Sequence, residues 1–300
     1  MADTIDVTQG AAFIPEIVAN EALGMLEAEL HLAKNVARDS EYTPVKEGDV
    51  VNISKRGALT ANQKLAGQPV TLQNPLATTV PVSINQHWEV SFLLEDITQT
   101  LANGKIQIKA GYIADAIQTL GEKIEALLAA KAANLTYQLG TAAVNITDTV
   151  LRASRTRLSN SRAPKTNRFL YLEPDQIDVI LNLDKFVNAE KYGSSMPVME
   201  GEYGRIYGMK VFESLFTQSN GASPAGQMNM AFHRDALVLA MRPLVEPKVD
   251  GVQTAIVDKD GLMIRVIKSW NADYLGEQIT IDCLFGVSTL RPEVGVRVLS

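Results

Sequence analysis

Residues 105–139, KIQIKAGYIADAIQTLGEKIEALLAAKAANLTYQL, decide the fold. Large apolar residues recur there at alternating spacings of four and three positions: Ile113, Ile117, Leu120, Ile124 and Leu127, with Leu128 beside them. That spacing lines one face of an α-helix. A helix over about 105–139 would span on the order of 50 Å. The sequence therefore predicts a spine against which the rest of the chain packs.

Extended segments precede this helix. Val51 and Ile53 alternate with polar residues, and the same alternation returns in a second run of apolar positions at Val80, Val82, Ile84, Val90, Phe92 and Leu94. Pro81 favours an edge strand, and the middle of the segment has few aromatic or bulky apolar residues. We predict a long hairpin-like excursion from about residue 47 to 94 that buries little surface against its own domain.

The remaining elements make the fold α+β. Apolar residues at near-helical spacing predict an N-terminal helical arm: Phe13, Ile17, Leu23, Leu26 and Leu30. Asp148 is suited to cap a short helix that ends at Pro164, Phe169–Leu172 predicts a buried strand, and Pro174 opens another helix. Beyond Met263, alternation over residues 279–287 and 294–298 predicts strands with two unlike faces.

Composition bounds the class of protein. The 300 residues carry a formal net charge of -6, which argues against a surface devoted to nucleic acid as a whole, because non-specific DNA affinity comes from Lys and Arg. The single cysteine, Cys283, excludes an internal disulfide and a Cys-based metal cluster. Residues 1–10 lack a signal-peptide pattern, and no apolar run approaches the roughly 18 residues of a membrane span. We expect a soluble protein that is cytoplasmic when made, with no membrane partner.

The sequence offers no catalytic or cofactor-binding pattern. His31, His87 and His233 have no acidic or histidine neighbour at the spacing that would aim two metal ligands from one helix face. Residues 258–261 predict a tight turn rather than a calcium loop, because apolar residues stand where acids are needed. Cys283 lies on the apolar side of a strand, which favours a core residue over a nucleophile. We therefore expect no enzyme, no metal and no cofactor.

The most biased window in charge runs from Thr149 to Leu172, which contains six cations and no acid: Arg152, Arg155, Arg157, Arg162, Lys165 and Arg168. A solvated helix face, ion pairing between subunits and direct nucleic-acid contact are three interpretations that the sequence leaves open. As candidate intersubunit contacts we take seven residues: Arg152, Arg155, Arg157, Arg162, Lys55, Arg56 and Lys64.

The order of these predicted elements resembles the fold of tailed-phage major capsid proteins, the Johnson or Hong Kong 97-like fold. Four short phrases carry the resemblance, FIPEI at 13–17, GDVVNI at 48–53, HWEVSF at 87–92 and NMAFHRDAL at 229–237. They are similar to coat proteins related to that of the Salmonella podovirus, although 300 residues leave no room for the extra domain of that protein.

The resemblance implies a division of the chain into four parts. These are an N-terminal arm at 1–46, an extended E-loop at 47–94, a peripheral domain at 95–144 and 261–300 with its spine helix at about 105–139, and an axial domain at 145–260. Lys64 lies in the loop, where some relatives form an isopeptide bond that also needs a positioned acid. We predict a shell without covalent cross-links.

The resemblance also implies a function and partners. The chain is expected to self-assemble through hexamers and pentamers into an icosahedral shell around phage double-stranded DNA, held without sequence specificity. A separate scaffolding protein, a portal protein at one vertex and, as an open question, a decoration protein are the implied partners. The alternatives are an encapsulin-like compartment shell and a nucleic-acid-binding module that uses the segment from Arg152 to Arg168.

Overall fold

The computed structural model describes residues 31–38, 50–55, 59–74, 78–95, 105–182, 204–247, 249, 251–259 and 262–300, with only the backbone of 105–111 and 257–259. The predicted N-terminal helix lies outside these ranges. The helices are α1 (Leu32–Asn35), α2 (Lys105–Ala130), α3 (Asp148–Asn160) and α4 (Pro174–Leu181), and short 3₁₀ turns follow at Lys131–Asn134, Arg234–Ala236 and Pro292–Val294.

A six-stranded sheet is built from segments distant in sequence. Its strands are β1 (Ala37–Arg38), β4 (Gln86–Glu95), β11 (Leu237–Arg242), β12 (Val252–Lys259), β13 (Leu262–Asn271) and β14 (Gly276–Thr289). They follow the order β1-β11-β14-β13-β12, and β4 pairs with β14. The 14-residue β14 contacts β4, β13 and β11 along different parts of its length, which makes it the centre of this sheet.

A seven-stranded sheet contains the remaining long strands. Its members are β5 (Tyr137–Gly140), β6 (Arg168–Leu172), β7 (Arg205–Ile206), β8 (Met209–Glu213), β9 (Gln218–Ser219), β10 (Gln227–His233) and β15 (Gly295–Leu299). The order is β5-β15-β10-β6-β8-β7, with β9 paired to β10. Every residue of β6 is buried, as its continuous apolar character predicts.

A two-stranded hairpin projects from the six-stranded sheet. β2 (Val50–Lys55) and β3 (Thr78–Ser83) pair in antiparallel register, with Val51 opposite Val82 and Ile53 opposite Val80. The prediction extended this excursion to Leu94, but β4 leaves it, because its backbone pairs with β14 from Gln86 to Glu95. The hairpin proper therefore ends at β3.

The spine helix α2 buries the predicted stripe. Ile113, Ile117, Leu120, Ile124 and Leu128 are buried and Leu127 is half-buried, all within one core that both large sheets share. The helix is shorter than predicted, because residues 137–140 form β5 beside β15. Gly140 permits that approach: with φ of 80°, a Cβ there would lie 2.2 Å from the carbonyl oxygen of Leu299.

The observed sheets divide the chain differently from the predicted segments. The predicted boundary at residue 260 separates β11 and β12 from β13 and β14, yet all four strands pair within the six-stranded sheet. The last strand, β15, pairs instead with β5 and β10 in the seven-stranded sheet. Backbone pairing over these registers outweighs proximity in sequence, so segments that are close in sequence belong to different sheets.

Candidate functional site

The base of the β2–β3 hairpin is firmly anchored. Val51, Ile53 and Val82 are at most 3% exposed and pack with residues of β1 and β11 in a small second core. At the outer end of β2, the Lys55 ammonium lies 2.7 Å from Glu293 Oε1, to which Arg291 also donates. Burial raises the pKa of Glu293, but hydrogen bonds from Lys55 and Arg291 bring it below its usual value. Lys55 thus has a partner within its own chain, and Arg56 lies outside the described residues.

The tip of the hairpin, residues 59–74, is exposed throughout. It carries four large aliphatic side chains with exposed fractions of 62% to 91%: Leu59, Leu65, Val70 and Leu72. The Thr60 N–H donates to Gln73 Oε1 at 2.8 Å, and this contact joins the two sides of the tip. Lys64 projects from the same surface. A contiguous segment with this much exposed apolar surface is typical of a surface that contacts another molecule.

The basic helix α3 presents its cations to solvent. Arg152 pairs with Asp148 one turn earlier at 3.0 Å, and the Arg157 guanidinium lies 5.5 Å from the ring centre of Tyr137. Arg155 and Arg162 are also exposed. The structure therefore brings four of the candidate contact residues together on one helix and its end, away from the hairpin that carries Lys55 and Lys64.

Arg168, counted in the same window, has a different role. Its guanidinium is buried and donates to the carbonyl oxygens of Pro164 and Ala163, at 2.7 Å each, and to Ser159 Oγ at 3.1 Å. These bonds satisfy carbonyls beyond the end of α3, where a helix lacks internal donors. Burial, and then repulsion from Arg155, lowers the pKa of Arg168. It is a structural cation, which sequence alone did not distinguish from its exposed neighbours.

A buried carboxylate that sequence analysis missed holds the arm at residues 31–38. Glu125 is 2% exposed and accepts hydrogen bonds from the backbone N–H groups of Leu32 and Ala33, at 2.8 to 2.9 Å, and from the Tyr171 hydroxyl at 3.0 Å. The Ser214 hydroxyl donates in turn to Tyr171. The spine helix, the arm, β6 and the end of β8 therefore meet at one polar cluster.

The other groups with potential chemistry have structural partners. Burial raises the pKa of the Cys283 thiol to about 12, which suits the core residue predicted. His87 and Arg265 both contact Asp282, and His233 Nδ1 accepts the Asp235 N–H at 3.2 Å. Within the described ranges no cluster of acidic, histidine and cysteine side chains could hold a metal ion. No helix in the described part of the chain has the length and hydrophobicity to span a membrane.

Comparison with known proteins places this architecture. No family model and no curated protein matches the sequence. Among solved structures, one from Mycobacterium phage Che8 has a TM-score of 0.65 at 18% identity, with 90% of each chain covered. The capsid of the cyanophage P-SCSP1u gives 0.61 at 13% identity, covering 88% of this chain and 86% of that one. A virus-like particle from Pyrococcus furiosus gives 0.54 at 10% identity, covering 94% and 98%.

About nine-tenths of the chain is covered in the comparisons with the two phage structures. At such low identity the agreement concerns backbone architecture rather than individual side chains. The predicted fold class is confirmed: this mixed helix and sheet chain has the fold of the tailed-phage major capsid proteins.

Proposed function

We propose that this chain is the major capsid protein of a tailed bacteriophage and assembles through hexamers and pentamers into an icosahedral shell. One observation carries the proposal: 88% to 90% of this chain, and 86% to 90% of the matched chains, are covered in the comparisons with phage structures. Its role is then structural, and its specificity lies in surfaces that recognise further copies of itself. Its location would be the virion, with the host cytoplasm as the site of assembly.

The exposed tip of the β2–β3 hairpin supports this function physically. Its base is fixed by the second core, while its aliphatic side chains at residues 59–72 contact little of their own subunit. Burial on a neighbouring subunit would remove that apolar surface from water, at roughly 25 cal/mol per Å². Many such contacts around a shell give stability that no single one provides.

The two sheets are consistent with an axial domain and a peripheral domain. We assign the seven-stranded sheet with α3 and α4 to the axial domain around each five- or six-fold axis. The six-stranded sheet with the spine helix is the peripheral domain, and the β2–β3 hairpin is the E-loop. The N-terminal arm is represented by residues 31–38, which Glu125 holds, and the part predicted before residue 31 lies outside the described residues.

The remaining partners follow from the function of such a shell. We propose a separate scaffolding protein during assembly, a portal protein at one vertex and double-stranded DNA packaged against the inner wall. A net charge of -6 would keep that wall from binding the DNA tightly. A decoration protein on the outside is an additional partner to test.

A protein compartment of the encapsulin type is the second candidate, because the alignment with the Pyrococcus furiosus virus-like particle covers 98% of that protein's chain. Its TM-score is lower than those of the phage structures described above. The two functions differ in cargo, so nucleic acid extracted from purified particles separates them.

A DNA-binding module built on the basic window is the third alternative. It would use exposed cations, and Arg168 is not among them. It predicts strong, salt-sensitive DNA binding by the isolated subunit. Absence of binding at low salt excludes that alternative.

Expression of the chain, alone and with scaffold candidates, followed by size-exclusion chromatography and negative-stain electron microscopy, tests the proposed function. Closed shells or five- and six-membered rings are the expected products. A subunit that stays monomeric under every condition, with and without scaffold, contradicts the proposal.

A further inference from the structure

The chain separates its charges sharply between two neighbouring helices. Residues 149–168 contain six cations and no acid, whereas residues 169–182 contain three acids and no cation: Glu173, Asp175 and Asp178. Two of these nine groups serve the fold, since Arg168 binds carbonyls and Glu173 accepts the Ser300 hydroxyl at 2.7 Å. The others lie on exposed surfaces of α3, α4 and the turn after α3.

These opposite charges do not neutralise each other within one subunit. In the described part of the chain, Arg155 and Arg162 lie within salt-bridge distance of no carboxylate, and Asp175 and Asp178 lie within that distance of no cation. The Asp178 carboxylate accepts a hydrogen bond from the side-chain amide of Asn182, at 3.4 Å. Within the described ranges, the exposed cations Arg155 and Arg162 and the exposed acids Asp175 and Asp178 therefore present opposite charge to their surroundings.

The two helices are associated with different strands of the seven-stranded sheet. α3 packs on β5, β15 and β10, the first three strands in the order β5-β15-β10-β6-β8-β7. α4 follows β6, and in its first turn Gln176 Oε1 accepts the N–H of Ile146, two residues before α3 begins. The two helices thus begin near each other, and each carries exposed charges of a different sign.

We propose that α3 of one subunit binds α4 of the next copy in a ring, with Arg155 and Arg162 facing Asp175 and Asp178. This inference rests on the proposed function and names the surface that orders subunits within a pentamer or hexamer. The occupant of each helix face is a second copy of this chain, because the complementary charge is present on the same molecule.

A contact between two different surfaces has the geometry that a ring needs. Such head-to-tail interfaces repeat around an axis and close into rings, whereas a contact of one surface with itself stops at a dimer. Opposite charges also reject the wrong orientation, in which two basic or two acidic helices would meet. Individual exposed ion pairs are weak, but every subunit of a ring contributes one interface.

Charge-reversed variants test the pairing. Arg155→Glu with Arg162→Glu makes both surfaces acidic, and Asp175→Lys with Asp178→Lys makes both basic. Each variant alone should need about tenfold or more subunit for half-maximal ring or shell formation, because like charges then meet at the interface. Mixed in equal amounts, the two variants should form six-membered rings, since strict alternation restores opposite charges at every interface of a ring with an even number of subunits.

Lys210→Glu serves as the matched control, since it reverses an exposed cation on the same sheet outside both helices. It should assemble like the unaltered chain. Thermal unfolding of each variant checks folding, and the neutral pair Arg155→Gln with Arg162→Gln offers a milder version. That pair should weaken assembly less than the glutamates do.

The outcomes separate this inference from the proposed function. If the unaltered chain never assembles, the capsid function fails. If it assembles and both reversed variants assemble equally well, the capsid function stands and the α3–α4 pairing is wrong. Folded variants that fail alone and also fail when mixed likewise contradict the pairing.

Discussion

At the scale of single residues, the polar group with the largest structural influence is Glu125. A carboxylate with 2% exposure loses nearly all of its hydration, and it remains acceptable because two backbone N–H groups and the Tyr171 hydroxyl replace the lost water. The same contacts satisfy the first donors of α1, which lacks a side-chain cap of its own. One side chain therefore joins the arm to the spine.

Glu125→Gln should change the pH dependence of stability in a defined direction. Burial raises the pKa of Glu125 above 4.5, and hydrogen bonds from Ala33, Leu32 and Tyr171 offset this only in part. The folded state therefore binds the proton more tightly than the unfolded chain. The resulting stabilisation is complete below 4.5 and disappears as pH rises through the folded-state pKa.

Denaturant unfolding of both proteins from about pH 7 down to about 4.5 measures this effect. The unaltered chain should gain stability relative to Glu125→Gln as pH falls. Glu122→Gln is the control, because that carboxylate is only partly buried on the same helix and accepts a hydrogen bond from Gln118. A pH-independent difference, or one that grows in favour of Gln at low pH, contradicts the expectation.

Truncation of Arg168 and of Arg155 should change the stability of the subunit to very different extents, although both residues lie in the basic window. Arg168→Ala leaves the carbonyls of Ala163 and Pro164 without their charged donor and should cost about 2–3 kcal/mol. Arg155→Ala should stay within about 0.5 kcal/mol, since its side chain is exposed. Chemical denaturation of the two variants tests the distinction, and equal losses would show that Arg168 has no special structural role.

At the scale of elements, the β2–β3 hairpin has two halves with different energetics. The base is fixed by side chains that are buried against β1 and β11, and the tip contributes mainly exposed surface. Stability and assembly should therefore depend on different residues of the same hairpin.

Substitution of one aliphatic residue in each half separates these roles. Ile53→Ala removes a side chain with 0% exposure and should destabilise the subunit by about 2–5 kcal/mol. Leu72→Ser alters a side chain with 91% exposure and should change subunit stability by less than about 0.5 kcal/mol, yet weaken shell formation. Unfolding and sizing measurements on both variants decide this, and normal shells from Leu72→Ser would remove the tip from the interface.

At the scale of the whole molecule, the two sheets are interleaved along the chain. Residues 37–38 pair beside 238–239, and the last strand lies between β5 and β10. The six-stranded sheet is complete only with β14, which ends at Thr289, and the seven-stranded sheet only with β15. Such distant pairings delay folding, because long loops must close before the contacts form.

Removal of residues 295–300 should therefore prevent folding, rather than give a shortened chain that still folds. β15 is almost wholly buried, and its loss would leave the edges of β5 and β10 unpaired and exposed. Insoluble protein, or soluble protein without cooperative unfolding, is expected by circular dichroism. Replacement of the exposed residues 62–71 by a short Gly-Ser linker is the control and should preserve the fold. Cooperative unfolding of the truncated chain contradicts the prediction.

The sequence by itself determined the identity and order of the elements, because helical and strand periodicities are local. The stripe from Ile113 to Leu128 and the alternations at Val51–Ile53 and residues 279–287 predicted elements that the structure contains. The grouping of exposed cations at Arg152–Arg162 was visible for the same reason. The resemblance to the capsid fold depended on that order and on four short sequence phrases.

Only the tertiary structure decided which strands become neighbours, where α2 ends and which charges are buried. β4 joins β14, β15 crosses to the other sheet, and residues 137–139 form a strand because a backbone partner lies beside them. Arg168 and Glu125 became structural residues through contacts with the carbonyls and N–H groups around them. These outcomes depend on groups brought together from distant parts of the chain, and a local pattern of residue types carries no information about such partners.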